Sequence, residues 1–179
     1  MTDLIPVFDG HNDTLLKLEI AACKGEPRDF AAEGETLDID LPRARKAGFA
    51  GGLFAMYTPS RIGDLDAPYD RSDPARFAPV EQPAALNFTM ALFARLRRLA
   101  RDLPDDVAIC RGAGDARAAM ATGRLAIIPH IEGAECIDAD LNALEVLHAA
   151  GLRSLGLVWS RPNIFGAGAP MARQPVLTP

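Results

Sequence analysis

The sequence predicts an α/β fold in which helices cover a parallel β-sheet, and two observations carry that prediction. Strand-like apolar runs alternate with helix-like segments along the 179 residues, in the order β-α-β-α-α-β-α-β. One of these runs, Phe49–Tyr57, is apolar along almost its whole length, which is typical of a strand covered on both faces. The length suits one domain with a sizeable core.

Apolar periodicity and capping residues define the individual elements. In chain order we predict a strand at 4–8, a helix at 40–48, a strand at 49–57, a helix from 84 to about 102, a helix at 115–122, a strand at 125–131, a helix at 141–150 and a strand at 152–159. Asp40 and Asp140 stand at N-cap positions, and Gly48 and Gly151 stand where a helix ends. A polar, Pro-rich excursion at about 58–83 interrupts the alternation within the domain.

Composition excludes several classes of protein. The net charge of −5 and the pI near 5.2 argue against a nucleic-acid or anionic-membrane partner. No apolar run approaches the roughly 20 residues that span a bilayer, and the N-terminus lacks the pattern of a signal peptide. The three cysteines form neither a Cys-x-x-Cys pair nor an even framework. We therefore expect a cytoplasmic protein.

His11 and Asp13 stand two residues apart where the first apolar run ends. Residues i and i+2 of a strand share a face, so the two side chains would project together. An imidazole nitrogen and a carboxylate oxygen that converge suit a divalent cation such as zinc. The alternative is that His11 forms local hydrogen bonds and Asp13 begins a helix at Thr14.

Glu132 closes the third predicted strand, just before Gly133. Parallel sheets carry their chemistry at the carboxyl ends of the strands, where a carboxylate can bind one metal ion or bridge two. The alternative is a solvated charge at a strand end. His130 shares the face of Glu132 and either lines the site or fills the interior, whereas His148 lies near a helix end and is expected at the surface.

Three segments together resemble the membrane (renal) dipeptidase family of zinc peptidases: "FDGHNDT" from residue 8, "HIEGAECID" from residue 130 and "LRSLGLVWSRPNIFGAG" from residue 152. The resemblance implies a TIM-type (β/α)₈ metallohydrolase barrel, of which this chain covers about the first four βα units. Residues 1–179 would then be the N-terminal half of a single barrel domain. The implied activity is zinc-dependent hydrolysis of dipeptides, including those with a C-terminal D-residue, through a metal-bridging hydroxide.

The resemblance also implies roles for individual residues. His11 and Asp13 would bind one zinc ion, and Glu132 would bridge two. The family places a substrate-contacting histidine where this sequence has Trp159, so we expect altered substrate recognition. An indole can stack or donate one hydrogen bond. Tyr57 and Asn163, which follow the second and fourth predicted strands, are the other expected substrate contacts.

The chain has about half the family's length. The ligands of the second zinc, a substrate-binding arginine and the aspartate that shuttles the proton come from later strands in the family. We therefore expect no catalytic proton shuttle within this chain, and no activity from the 179 residues alone. A half-barrel would expose two sheet edges and an apolar inner face.

Two other functions stay open. The whole protein could be another barrel metallohydrolase, acting on amides, lactones or acyl-amino acids. From a different class, the chain could be a non-catalytic half-barrel that binds one metal ion or serves as an assembly module. The expected partner is a dipeptide substrate, and a homodimer is compatible with the sequence.

Overall fold

The computed structural model describes residues 4–34, 37–61 and 73–168, and these form a parallel sheet with helices packed against it. The strands are β1 Val7–Asn12, β2 Phe49–Tyr57, β3 Val107–Ile109, β4 Leu125–Glu132 and β5 Ser154–Gly156. The helices are α1 Thr14–Cys23, α2 Leu41–Lys46, α3 Gln82–Asp102, α4 Ala113–Ala121 and α5 Asn142–Ala150, with a 3₁₀ turn at Pro74–Phe77. The predicted parallel α/β architecture is confirmed.

The centre of the sheet is the pairing of β2 with β4. It runs in unbroken parallel register from Gly51 opposite Ala126 to Tyr57 opposite Glu132. β1 lies on the free side of β2, while β3 and β5 share the other side of β4, β3 at its amino end and β5 at its carboxyl end. The carboxyl ends of β1, β2, β4 and β5 therefore meet at one edge of the sheet.

Alternation along the strands separates the two faces of the sheet. Phe54 and Met56 of β2 and Ile131 of β4 are buried in the main core, which also takes in side chains from α1, α3 and α5. The residues that alternate with them along the strands, including Tyr57 and Glu132, face the opposite side of the sheet. The apolar core thus lies under the helices, and the polar strand ends project from the other face.

Two glycines let the strands approach closely. A Cβ on Gly51 would lie 2.2 Å from the carbonyl oxygen of Ala126 on β4, and one on Gly52 would lie 2.8 Å from that of Asp9 on β1. Contacts under 3.0 Å are not tolerated by real side chains. The Gly51-Gly52 pair therefore allows β2 to sit tightly between its two neighbours.

The strands differ from the prediction in three places. β1 begins and ends later than the predicted strand at 4–8, so His11 lies inside the strand rather than after it. β3 was not predicted, because three residues between two helices carry too short an apolar signal. The last strand spans only Ser154–Gly156 rather than 152–159, and the loop that follows it is held by side-chain hydrogen bonds of Arg161 and Asn163.

Of the two predicted N-caps, one is confirmed and one is wrong. Two further helices begin earlier than predicted, α3 at Gln82 instead of 84 and α4 at Ala113 instead of 115, and α1 at Thr14 corresponds to the alternative given for Asp13. The Asp40 carboxylate accepts a hydrogen bond from the Arg43 amide at the start of α2, as predicted. At α5 the predicted cap, Asp140, is wrong: the Asp138 carboxylate accepts hydrogen bonds from the amides of Asn142 and Ala143. The intervening turn needs a left-handed residue, Leu141, with φ of 62°.

Part of the predicted Pro-rich excursion, residues 62–72, lies outside the described residues, as does the end of the chain from 169. In the described ranges no helix combines the length and the apolarity needed to cross a membrane. A cytoplasmic location stays a prediction.

We expect Gly51→Ala to lower the free energy of unfolding by about 1–3 kcal/mol, the usual cost of forcing atoms into filled space. Gly114→Ala is the matched control, because a Cβ there meets nothing within 4 Å and Gly114 lies in helix α4. That change should raise the free energy of unfolding by about 0.4–1 kcal/mol, because alanine lowers the conformational entropy of the unfolded chain. Urea unfolding of both variants measures the two effects, and equal shifts would contradict the close approach of β2 and β4.

Candidate metal centre

A buried asparagine shapes the corner between β1 and α1. The Asn12 side-chain amide donates to the Asp9 carboxylate at 3.0 Å, and its oxygen accepts from the Thr14 amide at 3.3 Å. Asp13, between them, is the N-cap of α1, but its side chain makes no capping hydrogen bond. An N-cap aspartate normally uses its carboxylate on the helix, so the Asp13 carboxylate is left available for another partner.

The three residues predicted as metal ligands converge on one point. His11 Nε2 lies 3.6 Å from Asp13 Oδ1 and 3.5 Å from Glu132 Oε2. One ligand atom of each residue lies within 4.8 Å of the others, and this is the group that could hold a metal ion among the described residues. The side chains of His11 and Asp13 are 40% and 45% exposed and that of Glu132 is 19% exposed. A cation could therefore reach the group from solvent.

The electrostatics of the group favour a bound cation. Burial raises the pKa of Glu132, and the nearby carboxylates of Asp13 and Glu135 raise it further, against the lowering effect of His11 and Arg161. Two carboxylates that face each other repel, and a positive ion between them removes that repulsion. An imidazole and two carboxylates are also a donor set that zinc accepts. The residues present fit a divalent metal.

His130 lies beside this group. Its Nδ1 is 2.8 Å from the hydroxyl oxygen of Ser154 on β5, and its ring meets the His11 ring edge-on with centroids 6.0 Å apart. Burial, together with the charge of His11, lowers the pKa of His130. His130 therefore lines the site, with its ring held by Ser154. His148, by contrast, is exposed on α5, as predicted.

Of the three predicted substrate contacts, two lie beside Glu132 and the third is bonded within its own loop. Tyr57 pairs with Glu132 in the sheet register, and its ring meets the Trp159 ring edge-on at 5.3 Å. Trp159 is 43% exposed, so Tyr57 and Trp159 form an aromatic wall beside Glu132. The third, Asn163, is hydrogen-bonded within its own loop. Its side-chain nitrogen donates to the Leu157 carbonyl at 2.8 Å, and its side-chain oxygen accepts from the Phe165 backbone amide at 2.9 Å.

A buried ion pair that the sequence did not predict adjoins the aromatic wall. Arg161 Nε donates to Glu135 Oε1 at 2.8 Å, and the two side chains are 1% and 2% exposed. Each residue stands a few positions after a strand end, within the motifs that carry the family resemblance. The signal in the sequence is that Glu135 and Arg161, which carry opposite charges, each stand among small and apolar residues.

Comparison with known proteins agrees with this geometry. A family model described as membrane dipeptidase, peptidase family M19, matches residues 1–176. The chain is 38% identical to a metallopeptidase from Rhodobacter sphaeroides, solved with a phosphinate mimic of the dipeptide L-Ala-D-Ala. That match has a TM-score of 0.77 and covers 93% of this chain and 49% of the other.

Two further relatives give the same picture. A metallopeptidase described as dipeptidase AC is 38% identical, with a TM-score of 0.75 over 93% of this chain and 46% of its own. A protein in the PQQ-III 3′ region of Acinetobacter calcoaceticus, itself uncharacterised, is 33% identical over 171 residues, which are 92% of this chain and 52% of that protein.

The chain spans about half the length of the relatives that it matches. Its curled parallel sheet corresponds to the first units of the TIM-type barrel in the dipeptidase structures, as predicted. Because the family model covers nearly every residue, and the strand ends carry a group of residues that could hold a metal ion, the chain belongs to the membrane dipeptidase family, peptidase family M19.

Proposed function

We propose that the whole protein is a zinc-dependent dipeptidase, and that His11, Asp13 and Glu132 hold its metal. The observation that carries the proposal is the convergence of these three side chains, within 4.8 Å, in a chain of the membrane dipeptidase family. His11 lies in β1, Asp13 directly follows β1, and Glu132 ends β4. Both strands flank β2, so convergence requires the fold and not only the motif.

The roles of the ligands follow from their placement. One ligand atom of each residue lies within 4.8 Å of the others, so one ion could contact all three residues. Asp13 contributes a carboxylate that does not cap α1. Glu132 presents one oxygen to His11, and its second oxygen could contact a second ion. When bound, zinc supplies a Lewis acid that polarises a peptide carbonyl and lowers the pKa of water.

The aromatic wall supports a small peptide substrate. Tyr57 and Trp159 stand next to Glu132, and the half-exposed indole offers a surface on which a short side chain or a peptide plane can pack. Asn163 would act through its loop, since its amide is bonded to Leu157 and Phe165. The Rhodobacter relative holds a mimic of L-Ala-D-Ala, so we infer that dipeptides with a C-terminal D-residue are among the substrates.

Removal of a ligand should weaken metal binding selectively. Glu132→Gln should lower zinc affinity by at least on the order of a hundredfold, because even the loss of outer-shell partners costs about 10–100-fold. His148→Gln is the matched control, since that histidine is exposed on α5 and is not one of the three converging residues. Titration with a chromogenic zinc chelator measures both variants, and an equal loss of affinity would refute the assignment.

Activity tests the proposal as a whole. The whole natural protein should hydrolyse simple dipeptides, and His11→Ala or Asp13→Ala should each lower kcat by about 10²-fold or more. His148→Ala should change neither kcat nor KM. The assay uses a panel of L,L- and L,D-dipeptides with zinc present. Hydrolysis that survives the loss of both His11 and Asp13 would overturn the metal site, and no hydrolysis of any dipeptide would exclude the substrate class.

A further inference from the structure

The Arg161–Glu135 ion pair is buried as completely as any apolar core residue, with 1% and 2% of the two side chains exposed. Burying such a pair costs several kcal/mol of lost hydration per ion, and the attraction between the charges often only offsets that cost. A buried pair is therefore weak evidence of a gain in stability. Its hydrogen bonds show what the pair holds in place.

Arg161 binds the end of β2 through its remaining donors. One terminal nitrogen donates to the Tyr57 hydroxyl at 3.1 Å and to the Ser60 hydroxyl at 2.8 Å, and the other donates to the Thr58 carbonyl. The guanidinium carbon also lies 5.0 Å from the centroid of the Tyr57 ring. A cation over an aromatic face is attracted to it. Arg161 thus restrains Tyr57 both at its hydroxyl group and at its ring.

Glu135 connects the same cluster to the metal ligand. A Cβ on Gly133 would lie 2.5 Å from Glu135 Oε2, so the carboxylate packs against the residue that follows Glu132. Gly133 has a φ of 92°, which also favours glycine. The amides of Gly133 and Ala134 donate to the carbonyls of Gly156 and Leu157, both at 3.0 Å, which ties this turn to the end of β5.

We propose that Arg161 is a positioning residue that, together with Glu135, fixes the Tyr57–Trp159 wall relative to Glu132. The ion pair joins the carboxyl ends of β2, β4 and β5, the three strands whose ends carry Tyr57, Glu132 and the approach to Trp159. Arg161 itself is fully buried and so does not contact a substrate. The effect of Arg161 on catalysis rests on the proposed dipeptidase function. Its effect on the position of the wall does not.

Trp159 is the only tryptophan of the chain and reports directly on the wall. We expect the near-ultraviolet circular dichroism of Trp159, taken in the whole protein as the difference from Trp159→Phe, to depend on its edge-on contact with Tyr57. Arg161→Lys keeps the charge but cannot form the same set of hydrogen bonds. We expect loss of the Trp159 signal, with zinc affinity unchanged. Arg153→Lys, at the other end of β5, is the matched control and should retain the signal.

A double-mutant cycle separates positioning from a general structural effect. Tyr57→Phe removes the hydroxyl that Arg161 binds and leaves the ion pair intact, so it should weaken the Trp159 signal by itself. After Tyr57→Phe, the further change Arg161→Lys should have a smaller effect on that signal than it has in the parent protein. If Arg161→Lys does not fold, the effect of Tyr57→Phe alone decides. A signal unaffected by Tyr57→Phe overturns the proposal, and so do fully additive effects.

Kinetics provides the second readout. In a protein that hydrolyses dipeptides, Arg161→Lys should raise KM on the order of tenfold with a smaller change in kcat, because it displaces a binding wall rather than the metal ligands. A tenfold loss in kcat with an unchanged KM would overturn the positioning role. If no dipeptide is hydrolysed at all, the proposed function fails, and the Trp159 signal still decides the position of the wall.

Discussion

The parallel pairing of β2 with β4 is the constraint on which the rest of the structure depends. Its register is unbroken from Gly51 to Tyr57, and it brings Glu132 to the same level as Tyr57 at the edge of the sheet. The same register directs Phe54, Met56 and Ile131 into the core. A slip of one residue would exchange the two faces and bury the Glu132 carboxylate among apolar side chains.

The proposed metal ligands His11 and Glu132 lie on either side of this central strand rather than along one strand. β1 and β4 both flank β2, so their backbones are about 9–10 Å apart, twice the spacing of neighbouring strands. The length of the two side chains closes this gap, since His11 Nε2 lies 3.5 Å from Glu132 Oε2. On β2, Tyr57 is opposite Glu132, and Ala55, which is fully buried, is opposite His130.

The sequence predicts those features that depend on local pattern. The alternation of apolar runs and capped helices correctly indicates the parallel α/β fold, and the strand-end positions of His11, Asp13 and Glu132 correctly indicate that they come together. Features that depend on distant contacts were missed. β5 is shortened, and the Arg161 side chain that follows it bonds to Thr58, more than a hundred residues away in sequence. No local period reports such a contact.

Anomalous diffraction at the zinc edge, from crystals of the whole protein grown with zinc, tests the central claim most directly. The account predicts an anomalous peak within about 2.0–2.2 Å of His11 Nε2 and of oxygens of Asp13 and Glu132. A second peak on the other oxygen of Glu132 would agree with that residue as the bridge. A zinc peak bound elsewhere, with His11 and Glu132 contacting no metal, would contradict the account.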